Sequence, residues 1–165
     1  MSYYLLSEGD AAETISNLTI IHPYGTVGSL PWQDRASSTL MEYGGEIQTH
    51  QLIDYAQRIR TFTECAHSEP MGRLKSNMKY AERLIFLGFA FHRLNMELLS
   101  LTDVDRYENP SIIDCYGTAF ETSKSDQNSI KGSITHLYKG ELIINLENMT
   151  CSQLFRDYSR SLGYE

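Results

Sequence analysis

Positive charge is scarce in this chain: 14 Lys and Arg stand against 21 Asp and Glu, a formal net charge of −7. General binding to nucleic acid or to an anionic membrane needs a basic surface, so the charge balance argues against both as partners. Long hydrophobic runs are missing too. No stretch approaches the roughly 20 apolar residues of a membrane span, and the first residues lack a basic segment followed by an apolar one. The expected setting is the cytoplasm. Cysteine is sparse: Cys65, Cys115 and Cys151 are odd in number, widely spaced and outside any CxxC pattern. They read as reduced thiols rather than bridges or metal ligands. The histidines His22, His50, His67, His92 and His136 show no HxH or HExxH spacing, so no metal site is expected. GxGxxG is absent, which removes the usual cradle for a pyrophosphate. No glycosidase-like carboxylate pair, Ser-His-Asp order, internal repeat or long linker stands out.

What remains is a chain of 165 residues, read as a single domain over 1–165 and long enough to bury about two-thirds of its unfolded surface. Its centre of organisation is residues 83–101. Leu84 to Leu87 is an unbroken apolar run ending at Gly88, the pattern of a strand buried on both faces. Leu94, Leu98 and Leu101 then follow at helical spacing. A buried strand that stops at a glycine and restarts as a helix is half of a βαβ unit. The break lies at the carboxyl end of the strand, where open α/β sheets bind ligands.

Along the chain, Ala11–Leu18 suggests a helix and the β-branched run Thr19–His22 a strand. Pro23–Trp32 is turn-rich, and 33–45 reads as an exposed loop or insertion. Ile47–Thr63 carries the clearest helical stripe, through Leu52, Tyr55, Ala56, Ile59 and Phe62. Glu69–Gly72 reads as a break, after which Leu74, Met78, Ala81 and Arg83 suggest a helix leading into the central strand. Residues 102–110 read as loop. Ile112–Tyr116 is a third strand. Ser123 with Asp126 resembles a capping box opening a helix with a thin apolar face (Ile130, Ile134), expected near an edge of the fold. Glu141–Leu146 is a fourth strand, and the capping pair Thr150–Gln153 starts a last helix with Leu154, Phe155, Tyr158 and Leu162. Alternating strands and helices predict an α/β fold: a mainly parallel sheet of about four strands with helices on both faces. Strand ends at His22–Gly25, Gly88–Phe91 and Tyr116–Thr118 would then share one edge.

These same residues carry a resemblance. A strand into His22-Pro-Tyr-Gly-Thr-Val-Gly28, a buried strand into Gly88-Phe-Ala-Phe with Asn95-Met96 beyond, then Tyr116-Gly-Thr-Ala119, resembles in order the C-terminal portion of sirtuin-like domains of bacterial proteins, many of them uncharacterised or linked to antiviral defence. The resemblance spans about residues 15–162. It implies a Rossmann-like half domain, NAD as a possible cofactor with NAD or ADP-ribose as ligand, and ancestry among enzymes that hydrolyse NAD. The glycine-rich phosphate motif and the Asn-Tyr-Asp-like segment that precede the histidine–glycine motif in that family are not found here. The chain therefore looks like the second half of such a domain, inactive alone, with its site completed by a first half in another chain; the sheet edge so exposed predicts a protein partner or a homo-oligomer. Where the family has its catalytic histidine, directly before the motif glycine, this sequence has Tyr24.

The resemblance leaves His22, two residues earlier and on the same face of an extended segment, as the candidate general base; the plainer reading is a histidine that ties the loop. The candidate cofactor-binding residues are Gly25, Gly88, Phe89, Asn95 and Thr118. Gly88 would allow close approach to the strand end. Asn95 offers a donor and an acceptor to a ribose or to its own loop. Phe89 and Phe91 would stack on a base or pack in the core, and Arg93 would meet a phosphate or solvent. The alternative function is a non-catalytic interaction or regulatory module that keeps the fold for packing.

Overall fold

The computed structural model describes residues 7–29, 41–42, 45–46, 48–101, 112–138 and 141–163. They belong to two compact units, Met1–Met71 and Gly72–Glu165. The segments read from sequence at 1–6, at Leu30–Trp32 and at 102–110 lie outside the described residues, as does most of 33–45.

In the first unit, α1 (Glu8–Ser16) starts where Ser7 and Asp10 close a capping box: the Asp10 N–H donates to the Ser7 hydroxyl at 3.1 Å and the Ser7 N–H to the Asp10 carboxylate at 3.0 Å. Thr19–His22 is not a strand. The described residues offer it no ladder, and β-branched residues form strands only where a neighbour takes their backbone groups. Leu18 and Ile20 are exposed instead. Gly28–Ser29 (β1) pairs in parallel with Met41–Glu42 (β2), so the segment expected to be only a loop contributes a short strand.

The expected helix over 47–63 is divided as well. A 3₁₀ turn at Thr49–Gln51 leads into α2 (Leu52–Ala56), and α3 follows at Phe62–Ala66. Two local facts explain the interruption. The Arg60 N–H donates to the Tyr24 carbonyl at 3.0 Å instead of to its own helix. The Thr61 N–H and hydroxyl both donate to the Glu64 carboxylate, at 2.8 and 2.7 Å, which starts a new helix. The break expected at Glu69–Gly72 is absent. Helix α4 runs Glu69–Lys79, with Pro70 at its second position, where a missing N–H loses nothing.

The second unit holds a parallel sheet in the order β3 (Arg83–Phe86), β4 (Ile113–Thr118), β5 (Leu142–Glu147). Helices α5 (Arg93–Leu99) and α6 (Lys124–Thr135) join the strands, and α7 (Cys151–Asp157) and α8 (Ser159–Leu162) follow. The α/β class and the parallel pairing hold, and among the described residues the sheet has three strands, slightly fewer than the expected four or so. The centre also moves. Leu84 to Leu87 was expected to be buried on both faces, yet β3 is a border strand of this sheet and Ile85 and Leu87 are each 42% exposed. The central strand is β4, which ladders on both sides and buries five of its six residues.

Successive β4 side chains face opposite ways. Ile113 and Cys115 enter a core with Phe86, Met96, Ile134 and Leu137, and Tyr116 meets Tyr158 edge-on at 5.4 Å between ring centres. Helical residues thus lie on both faces. Ile134 is fully buried, so α6, expected near an edge, closes the core. On α5 and just beyond it, burial falls on Met96, Leu98 and Leu101, and Leu94 is exposed. The Tyr138 hydroxyl donates to the Met78 carbonyl inside this core. Burial pushes the Cys115 thiol up to about 12 and the Tyr138 phenol up to about 12. Among the described residues no helix is long and apolar enough to cross a membrane.

Candidate ligand-binding site at the carboxyl edge of the sheet

Parallel strands bring their carboxyl ends to one edge, and in the second unit that edge is tied together by a few polar bonds. Beyond β3 the chain bends at Gly88, whose φ is +58. Its N–H donates to the Thr118 hydroxyl at 3.1 Å. Thr118 ends β4, is 5% exposed, and is the buried polar side chain among the described residues. Its Oγ1 lies 3.9 Å from the Cys151 Sγ at the first position of α7. The β4 and β5 ends are joined in turn: the Ala119 N–H donates to the Glu147 carbonyl at 2.8 Å, and the Glu121 N–H to the Asn148 side-chain oxygen at 2.8 Å. Glu121 has φ +56, a backbone region that a residue with a Cβ rarely enters. Thr118 and Glu147 are cross-strand partners, so both side chains stand on the α7 face. Loss of water pushes the Tyr158 phenol up, and the negative charge of Glu147 beside it acts in the same direction.

Gly88 is exposed, and a Cβ built there meets no heavy atom within 4 Å. The backbone at the strand end is therefore exposed at Gly88, while the Thr118 hydroxyl that accepts its N–H is buried. The start of α7 beside Thr118 is closed by the Thr150–Gln153 capping box, α5 has His92 as its N-cap with no side-chain capping bond, and the Gly88–Phe91 turn contains a single glycine.

Of the residues singled out from sequence, Gly88 and Thr118 are brought into direct contact. Phe89 packs half-buried against the core in an aromatic cluster, 5.5 Å from Phe86 and 5.2 Å from Phe91 between ring centres. Asn95 is half-buried on α5. Arg93 is exposed and pairs with Glu97 at 2.8 Å, one turn on. His22 and Gly25 belong to the other unit. His22 is exposed and its carbonyl accepts the Gly25 N–H at 3.0 Å, closing a turn. Gly25 has φ +84, and a Cβ there would stand 1.8 Å from the Arg58 carbonyl oxygen. Close backbone packing accounts for that glycine without any ligand.

Cys151, Asn148, Glu121 and Glu147 were not legible as site residues. Each ends or follows a strand or opens a helix without a motif of its own; the capping pair Thr150–Gln153, which brackets Cys151, was the only local signal. Among the described residues no three His, Cys, Asp or Glu side chains gather as metal ligands. An open groove of about 630 Å³ runs between α5 and α6, with Phe91, Met96 and Leu137 in its wall and Arg93 at its rim. Compared with known proteins, the chain matches no family model, no curated protein and no solved structure.

Proposed function

We propose that the Gly72–Glu165 unit is a Rossmann-like half domain of sirtuin-like type that binds NAD or ADP-ribose at the carboxyl edge of β3 and β4, and that the chain alone does not hydrolyse NAD. The observation that carries this reading is the pairing of an open Gly88 with the Thr118 hydroxyl at the shared strand ends. It agrees with the place where open α/β sheets take their ligands. Gly88 would let the ligand reach the backbone, and Thr118 would hold Gly88 in position. NAD itself would supply the scissile nicotinamide–ribose bond.

Hydrolysis further needs the cofactor fixed against its catalytic groups, an effect of roughly 7–11 kcal/mol in well-oriented reactions. The sequence carries no glycine-rich phosphate loop. General-base help from His22 would contribute only about two to four powers of ten. A complementary segment from a partner polypeptide would have to provide the rest. The cytoplasmic setting and the link to bacterial defence belong to this proposal. Saturation-transfer NMR should detect NAD on the purified chain, with no nicotinamide released. Absence of any saturation transfer overturns the binding; turnover by the lone chain that vanishes in His22→Ala overturns the claim of inactivity.

A second reading is favoured by one observation. Ile85 on β3, Leu87 just beyond it and Ile143 on β5 are exposed, although parallel sheets are normally covered on both faces. An interaction module, as homo-oligomer or regulatory partner, would use such a surface. Light scattering at high micromolar concentration should then show a species larger than 18.9 kDa; a clean monomer counts against this reading and leaves the first intact.

A further inference from the structure

We draw no further inference here: the strongest candidate, the open groove between α5 and α6 with Met96 and Leu137 in its wall and Ser129, Gly132 and Ser133 along α6, is an apolar groove beside a row of small residues, and nothing in the structure shows what covers it.

Discussion

Replacing Gly88 with asparagine separates the turn at the end of β3 from the opening above it. Gly88 has φ +58, and no heavy atom lies within 4 Å of where a Cβ would stand. Substitution therefore meets a backbone preference and no steric obstacle. For an ordinary residue the left-handed region is unfavourable by roughly 1–2 kcal/mol. Asparagine enters it more readily, since its short side chain bonds locally, so less than about 1 kcal/mol should be lost. In a chain of this length that lowers the melting temperature by about 2–4 °C. The effect on a ligand is opposite in scale. The new amide fills the space through which a nucleotide would approach the strand end, and loss of affinity should be at least tenfold, about 1.4 kcal/mol. Thermal unfolding followed by circular dichroism measures the first quantity, and saturation-transfer NMR with NAD the second. A Gly88→Asn protein that melts within about 4 °C of the wild type and still binds NAD equally well refutes the reasoning, because the opening would then be turn geometry alone.

Two further outcomes concern the core. Tyr138→Phe removes one of two donors to the Met78 carbonyl, which keeps the Ala81 N–H at 3.3 Å, and should destabilise the fold by about 0.5–1.5 kcal/mol; urea unfolding with no measurable loss would show that the bond contributes nothing net. Alkaline pH should weaken the protein. Cys115 is raised from 9.0 to about 12 and Tyr138 from 10.0 to about 12, so well below pH 9 both groups are protonated in both states. Above that the unfolded chain ionises while the folded core holds its protons. The stability these groups provide is therefore lost as pH climbs from about 9 to 12, by up to about 1.4 kcal/mol per pH unit for each group. Cys115→Ala should shrink the loss between about pH 9 and 10, where only Cys65, also raised by burial, then remains; an unchanged loss in that range would exclude Cys115 as a source.

Some features of this chain are decided within a few residues, and these were legible. Ser123 opens α6 by accepting the Asp126 N–H, and Thr150 and Gln153 bracket the start of α7, because a cap is a contact between residues three apart. The three strands of the sheet were found by their apolar runs for a similar reason. Their ranking was not. An apolar run says that a strand is buried, not how many neighbours it has; β4, with Asp114 and Thr118 in it, becomes central only because β3 and β5 ladder on either side. Arg60 shows the reverse case, a residue inside a good helical stripe whose N–H is taken by the Tyr24 carbonyl, 36 positions away in the chain, so that the helix stops. The candidate site divides along the same line. Gly88 announces itself by ending an apolar run, whereas Thr118 was read as part of the interruption after Tyr116 and is in fact the last residue of β4. That they share a hydrogen bond, with Cys151 beside them, depends on the parallel register that sets three strand ends level, and that register is a property of the folded chain alone.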